Sequence, residues 1–270
     1  VQRLGPSTGS ATKGADGDIQ FLRWGSSGGL PVIVLAPVDA TDCYLLTVHA
    51  FNLAEIHRCP VFIASNKEIS MTRETVDLSS IKLPDIVNRR LAADDRPFLP
   101  FEVRDDHMAP DFLPIGSKRL VRQTSSTHGP NGYITADASV IAQNQARLKN
   151  KIRSGARGFT FYEEIIQAET DTLVITYGVT ARAAITAAKA LKKAGMAVSL
   201  LILKTLWPVP EDLIRKQAEP FKRIVVIEMN LGQYVREIRR LLPHKTVDFY
   251  GQMNGELISP LRIKEVIAHG

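Results

Sequence analysis

Apolar positions recur along this chain in two periods. Pro31-Val32-Ile33-Val34-Leu35-Ala36-Pro37 is a continuous apolar run between prolines, the pattern of a strand buried on both faces of a parallel sheet. Asp39 is placed to cap the next helix, Asp42 falls in its first turn, and Cys43, Leu46, Ala50 and Leu53 return at three- and four-residue spacing on one face. Pro60-Val61-Phe62-Ile63-Ala64 follows as a second strand, so the three elements form a right-handed βαβ unit. Upstream, residues 18–23 read as a short helix ended by a Gly/Ser turn.

The same alternation returns, more regularly, near the C-terminus. Strands are predicted at 172–178, 198–203, 224–227 and 247–250, and helices at 180–194, 210–218, 232–242 and 260–268, with Gly195 as a helix stop. Such repeated alternation implies a doubly wound parallel sheet. Between the two regular stretches, Pro84, Pro97, Pro100, Pro110 and Pro114 break the pattern, and one exposed helix is predicted at 137–153. The chain therefore divides into an α/β unit at 1–83, a proline-rich linker with one helix at 84–168, and an α/β domain at 169–270.

With 270 residues and 44% hydrophobic content, the chain has enough apolar matter for one large core or two ordinary ones. No apolar run approaches the ~20 residues of a membrane span and the first residues lack a signal-peptide pattern, so a cytoplasmic protein without membrane contact is expected. The chain begins at Val1, inside what reads as the end of an apolar strand, and further sequence is expected upstream. Cys43 and Cys59 are the two cysteines; their spacing fits neither a metal site nor a disulfide framework, so both are expected as buried structural thiols. They cannot hold an iron–sulfur cluster alone. The net charge of +6 suits anionic small molecules or an acidic protein partner, and without a basic run interleaved with aromatics no nucleic-acid role is expected. No Gly-rich dinucleotide or P-loop motif opens any unit.

The candidate chemistry lies in the first nine residues. Arg3 offers a bidentate fork for a carboxylate or phosphate, Gly5 and Gly9 allow close approach, Pro6 stiffens the turn, and Ser7 and Thr8 add hydroxyl donors. On composition alone, an anion-holding loop and a solvated tail stand about even. Gly178-Val179-Thr180 is explained by helix capping. Glu228-Met229-Asn230-Leu231-Gly232-Gln233 follows a strand end, where its carboxylate and two amides fit a subunit contact better than chemistry. His107 and His128 read as surface histidines.

As a set, these residues resemble a known family. Arg3-Leu4-Gly5-Pro6-Ser7-Thr8-Gly9, then Thr12-Lys13, Asp18, Val34-Leu35-Ala36-Pro37 and Cys59-Pro60-Val61 resemble the α subunit of 2-oxoacid:ferredoxin oxidoreductases. Tyr177-Gly178, Leu206-Trp207-Pro208-Val209-Pro210 and the Glu228–Gln233 element resemble its C-terminal domain. The resemblance implies an α/β fold: the C-terminal part of a thiamine-pyrimidine-type domain, the linker, and a transketolase-C-like domain. It implies oxidative decarboxylation of a 2-oxoacid to an acyl-CoA, with thiamine diphosphate and magnesium held mainly by a partner and electrons passing to ferredoxin. A β subunit would carry the diphosphate site and the iron–sulfur cluster, with or without a γ subunit. Arg3 would pair with the substrate carboxylate and Thr8 would donate to it or to the keto oxygen, with Pro6 and Ser7 fixing the loop. No residue of this chain is assigned to catalysis or to a metal. Departures are visible: the family's Glu-Gln is Ala15-Asp16 here, its His-Gly is Ser27-Gly28, and its acidic turn is Thr127-His128-Gly129-Pro130. The family's Tyr-Pro-Ile-Thr-Pro-type motif and the thiamine-activating glutamate would lie upstream of Arg3. That leaves two rivals: a non-catalytic interaction subunit of such a complex, and a transketolase-type thiamine enzyme without electron transfer.

Overall fold

The computed structural model describes residues 1–6, 13–25, 27–93, 97–103, 105 and 109–269. Helix α1 (Ile19–Trp24) is followed by β1 (Ile33–Leu35), a strand buried at every position, as its apolar run requires. Asp39 caps α2 (Ala40–His57), its carboxylate accepting from the Asp42 amide at 2.8 Å. Strand β2 (Val61–Ile63) returns parallel to β1, Ile33 facing Val61. The short α3 (Lys67–Met71), absent from the sequence-based expectation, is capped by Asn66. Residues 81–90 are irregular, as the prolines predict. The linker helix is α4 (Ala138–Gly155).

Two strands escape the periodic pattern. β3 (Tyr162–Ile165), in the segment read as linker, is an antiparallel edge strand. Beyond it come β4 (Thr172–Tyr177), α5 (Thr180–Lys193) and β5 (Ser199–Leu203), and then β6 (Thr205–Trp207), where the sequence reads as a turn. The remaining elements are α6 (Glu211–Ala218), β7 (Arg223–Glu228), α7 (Val235–Leu241), β8 (Thr246–Gly251) and α8 (Pro260–His269). The larger sheet has the order β3-β5-β4-β7-β8, parallel except at β3; the smaller has the order β2-β1-β6, with β6 antiparallel to β1.

The chain passes from one sheet into the other at Lys204, between β5 and β6. Its ammonium pairs with Asp42 at the start of α2 at 2.9 Å, and the Ala36 amide donates to its carbonyl at 2.8 Å. One apolar core runs across both sheets, joining Val34, Ala36 and Ala64 to Leu201, Leu203, Trp207, Val226 and Tyr234. Alanines on α5 let α8 lie close against it. The cysteines are free and half-buried rather than fully enclosed, each lying at the margin of a core cluster. Among the described residues, no helix is long and apolar enough to cross a membrane.

Helix α4 docks on the first unit through Lys151, which is buried and donates to the Arg58 carbonyl at the left-handed C-cap of α2 at 3.3 Å. Burial pushes this lysine down to about 8 from its ordinary 10.5. Between those values the unfolded chain binds a proton that the folded chain lacks, so stability rises with pH across that window. Lys151→Met removes this rise. Its urea midpoint should exceed the parent's most at about pH 7, the gap narrowing toward about pH 10; a pH-independent gap contradicts the burial of a charged lysine.

Candidate functional site

The Arg3 loop leaves the fold from a fixed point. Gln2 is buried at 4% exposure; its amide donates to the Ser65 carbonyl at 2.6 Å, and its side chain spans the Ala64 carbonyl and the Asp18 amide at 3.3 and 3.1 Å. Gln2 also bridges Asn66 in parallel, extending the line of β2. Arg3 follows directly, exposed and without an ion pair among the described residues. Pro6 is exposed as well. Ser7 and Thr8 lie outside the described residues, so their expected roles are not placed. The loop closes where the Leu4 amide donates to the Lys13 carbonyl at 3.3 Å.

The returning segment runs straight into the C-terminal domain. The Asp16 amide donates to the Met229 carbonyl at 2.9 Å, and Asn230 Nδ2 donates back to the Asp16 carbonyl at 3.0 Å. Gln233 holds the next turn: Nε2 donates to the Gly17 carbonyl at 2.5 Å, and Oε1 accepts from the Gln20 amide at 2.8 Å. Gln20 Nε2 returns a bond to the Gln233 carbonyl at 2.7 Å. Trp207 Nε1 donates to the Ile19 carbonyl at 3.1 Å. Asp16, Gly17, Ile19 and Gln20 are thereby fastened to the far domain.

Beneath this seam lies Glu228, at the end of β7 and 1% exposed. Its Oε2 accepts from the Tyr177 hydroxyl, Asn230 Nδ2 and the Tyr234 amide at 2.7, 2.9 and 2.9 Å, and Oε1 accepts from the Val235 amide at 2.8 Å. Both oxygens are filled, two of the donors coming from the free amides that begin α7. Asn230 Oδ1 accepts from the Gly232 and Gln233 amides at 2.8 and 2.9 Å, which bends the loop back on itself. The polar atoms of Glu228, Asn230 and Gln233, read from sequence as a subunit contact, are used inside this chain. Leu231, between them, is the 77% exposed residue that faces outward.

Asp16 is the second buried carboxylate of the seam, 2% exposed. Asn66 Nδ2 donates to its Oδ1 at 3.1 Å, while Oδ2 has no partner. Burial drives its carboxyl up to about 7, the Asn66 bond opposing and the Glu228 charge adding to the rise. A side chain at Gly178 would begin 3.4 Å from Asp16 Oδ2, so the carboxylate lies against the turn that starts α5. That turn, read from the sequence as a helix cap, makes no side-chain cap bond and faces an acid of its own chain. Gln2, Gln20 and Asn66 were not legible as site residues; only Asn66, three residues ahead of a buried isoleucine, carries a sequence signal, that of a helix cap. His128 sits at a surface turn against Phe101, ring centroids 3.7 Å apart, and His107 lies outside the described residues. Among the described residues, no three His, Cys, Asp or Glu side chains converge as metal ligands.

The arrangement matches known proteins. The family model for the thiamine-diphosphate-binding domain of pyruvate flavodoxin/ferredoxin oxidoreductase matches residues 1–147, and that for core domain II of pyruvate:ferredoxin oxidoreductase matches 170–263. The 2-oxoglutarate synthase subunit KorA of Methanothermobacter thermautotrophicus is 32% identical over 275 residues, a match covering 99% of this chain and 71% of that protein. The ketoisovalerate oxidoreductase subunit VorB of the same organism is 25% identical over 267 residues, covering 99% and 68%. A solved 2-oxoglutarate:ferredoxin oxidoreductase from Magnetococcus marinus, with 2-oxoglutarate, coenzyme A and succinyl-CoA bound, superposes with a TM-score of 0.87 at 25% identity. That match covers 99% of this chain and 47% of the solved one, so this chain spans about half its length.

Replacing Glu228 by Gln tests the seam. Either amide orientation turns an NH2 toward a backbone donor, and unfolding should become easier by about 1–3 kcal/mol in urea titration. An unchanged midpoint would mean that the carboxylate is not needed there.

Proposed function

Because the chain belongs to the 2-oxoacid:ferredoxin oxidoreductase family as an α-type oxidoreductase subunit, we propose that it is the component that binds and orients the 2-oxoacid in a multi-subunit, thiamine-diphosphate-dependent enzyme. The observation that carries this reading is Arg3, an exposed guanidinium without an ion pair among the described residues, set one residue beyond the buried, triply bonded Gln2. A planar carboxylate matches a guanidinium fork, and an anchor on a rigid base holds its ligand with little loss of order. Thr8 would donate to the carboxylate or the keto oxygen, while Pro6 and Ser7 shape the loop between them.

The chemistry that thiamine diphosphate supplies when bound is an electron sink for loss of carbon dioxide. Among the described residues no three His, Cys, Asp or Glu side chains converge to hold the magnesium that accompanies its diphosphate. In this reading that site, the iron–sulfur cluster and the path to ferredoxin belong to partner chains, and coenzyme A enters as co-substrate. What this chain contributes is binding and orientation: the carboxylate end of the oxoacid is held at Arg3 while its keto carbon faces the partner. Curated relatives at 30% identity or more carry the name 2-oxoglutarate synthase, and ketoisovalerate enzymes stand at 25%. The first substrate to test is therefore 2-oxoglutarate.

In the reconstituted complex, assayed with an oxoacid panel, coenzyme A and a viologen dye, Arg3→Ala should raise KM and lower kcat/KM by ~10² or more, the effect of losing a charge-paired anchor. A kcat/KM equal to the parent's would remove Arg3 from the substrate site.

A further inference from the structure

The stretch from Lys13 to Asp18 serves two structures at once. Its first residue closes the Arg3 loop through the Leu4–Lys13 bond, and three residues on, both backbone groups of Asp16 are tied to the C-terminal domain at Met229 and Asn230. The side chain at that junction is a buried carboxyl group with one oxygen on Asn66 and the other unpartnered. We propose that Asp16 is a positioning residue for Arg3, keeping residues 13–16, and with them the Leu4–Lys13 bond, seated against the domain seam while it is protonated and loosening them when it ionises. The inference rests on the reading of Arg3 as the oxoacid anchor.

The neighbours of Asp16 show why ionisation would strain the seam. Asn66 faces it from the start of α3, Glu228 and Asn230 from the loop after β7, and Tyr177 from the end of β4; none is a cation. Glu228 is already filled by four donors and presents only negative charge. The Tyr177 hydroxyl donates to Glu228, and the Asn230 amide is spent on the Asp16 carbonyl, Tyr177 and Glu228. An ionised Asp16 would have the Asn66 amide as its one donor, beside a second carboxylate and away from water. Such a charge is costly where it stands. The route to relief is outward movement of residues 13–16, which breaks the bonds to Met229 and Asn230 and opens the Leu4–Lys13 closure. The carboxyl group holds its proton up to about 7, against 3.8 in an unfolded chain. The seam therefore loses stability as pH rises between those values and stays at its lower level above them.

The test is the pH profile of the assembled enzyme. In the parent, KM for 2-oxoglutarate should rise about tenfold between about pH 6 and about pH 8.5, with kcat changing far less. Asp16→Asn should keep the low KM across the range, because an amide has no proton to lose. A parental KM that is flat with pH, or an Asp16→Asn enzyme that repeats the parental rise, overturns the proposal. Arg3→Ala separates the two readings: a KM unaffected by it defeats the oxoacid assignment and leaves the Asp16 question to a second measurement. That measurement, which needs no variant, is hydrogen exchange in the parent complex. After correction for base catalysis, the Leu4 and Asp16 amides should lose about tenfold in protection over the same pH range; constant protection means that Asp16 does not loosen residues 13–16.

Discussion

The burial of Glu228 is the constraint on which the rest of the molecule turns. A carboxylate removed from water costs several kcal/mol unless donors replace the lost hydration. Glu228 has four, from three pieces of local structure: the end of β4, the loop after β7, and two amides at the start of α7, where the helix dipole also favours negative charge. Because those donors are fixed by the acid, Asn230 is fixed too. Asn230 then presents its amide to the Asp16 carbonyl and bends the loop so that Gln233 can reach Gly17 and Gln20. The seam between the two halves is thus an extension of one buried charge, and the polar groups along it hold one another in place.

The two described ends of the Arg3 loop are fixed by that seam and by the small sheet. Its first anchor, Gln2, bridges Asn66 next to the small sheet, and its second, the extended segment 13–18, lies at the boundary with the large one. Arg3, one residue beyond the buried Gln2, stays exposed at the surface beside that fixed point. The continuous core and the passage of the chain from β5 through Lys204 into β6 keep the two anchors in register. Arg3 and the domain contact are therefore linked through residues 13–18, which carry both the Leu4–Lys13 bond and the bonds to Met229 and Asn230.

Much of the fold was legible from local pattern. The both-face burial of β1 and the Asp39 cap of α2 follow from residues adjacent in sequence, and so does the alanine face of α5. β3 and β6 were not legible. β3 carries two exposed glutamates and becomes a strand only because β5 offers it an edge, while β6 is three residues long beside Pro208 and is defined by its pairing with β1. The site divides in the same way. Arg3 and the Glu228–Gln233 element stand out by residue type and order, and the family follows from them. Gln2, Gln20 and the orphaned oxygen of Asp16 carry no local signal, and Asn66 carries only that of a helix cap.

Sequence by itself determined the strand–helix alternation, the family, and the presence of an arginine-bearing loop rich in glycine and hydroxyls, since each depends on residues close along the chain. Tertiary structure decided what the Glu-x-Asn-x-Gly-Gln element touches and which carboxylate is left short of donors. Those facts depend on contacts such as Asp16 with Asn230 and Gln20 with Gln233, each spanning more than two hundred residues. Burial strengthens polar interactions by removing water, and no local pattern states which distant groups will share the same dry space.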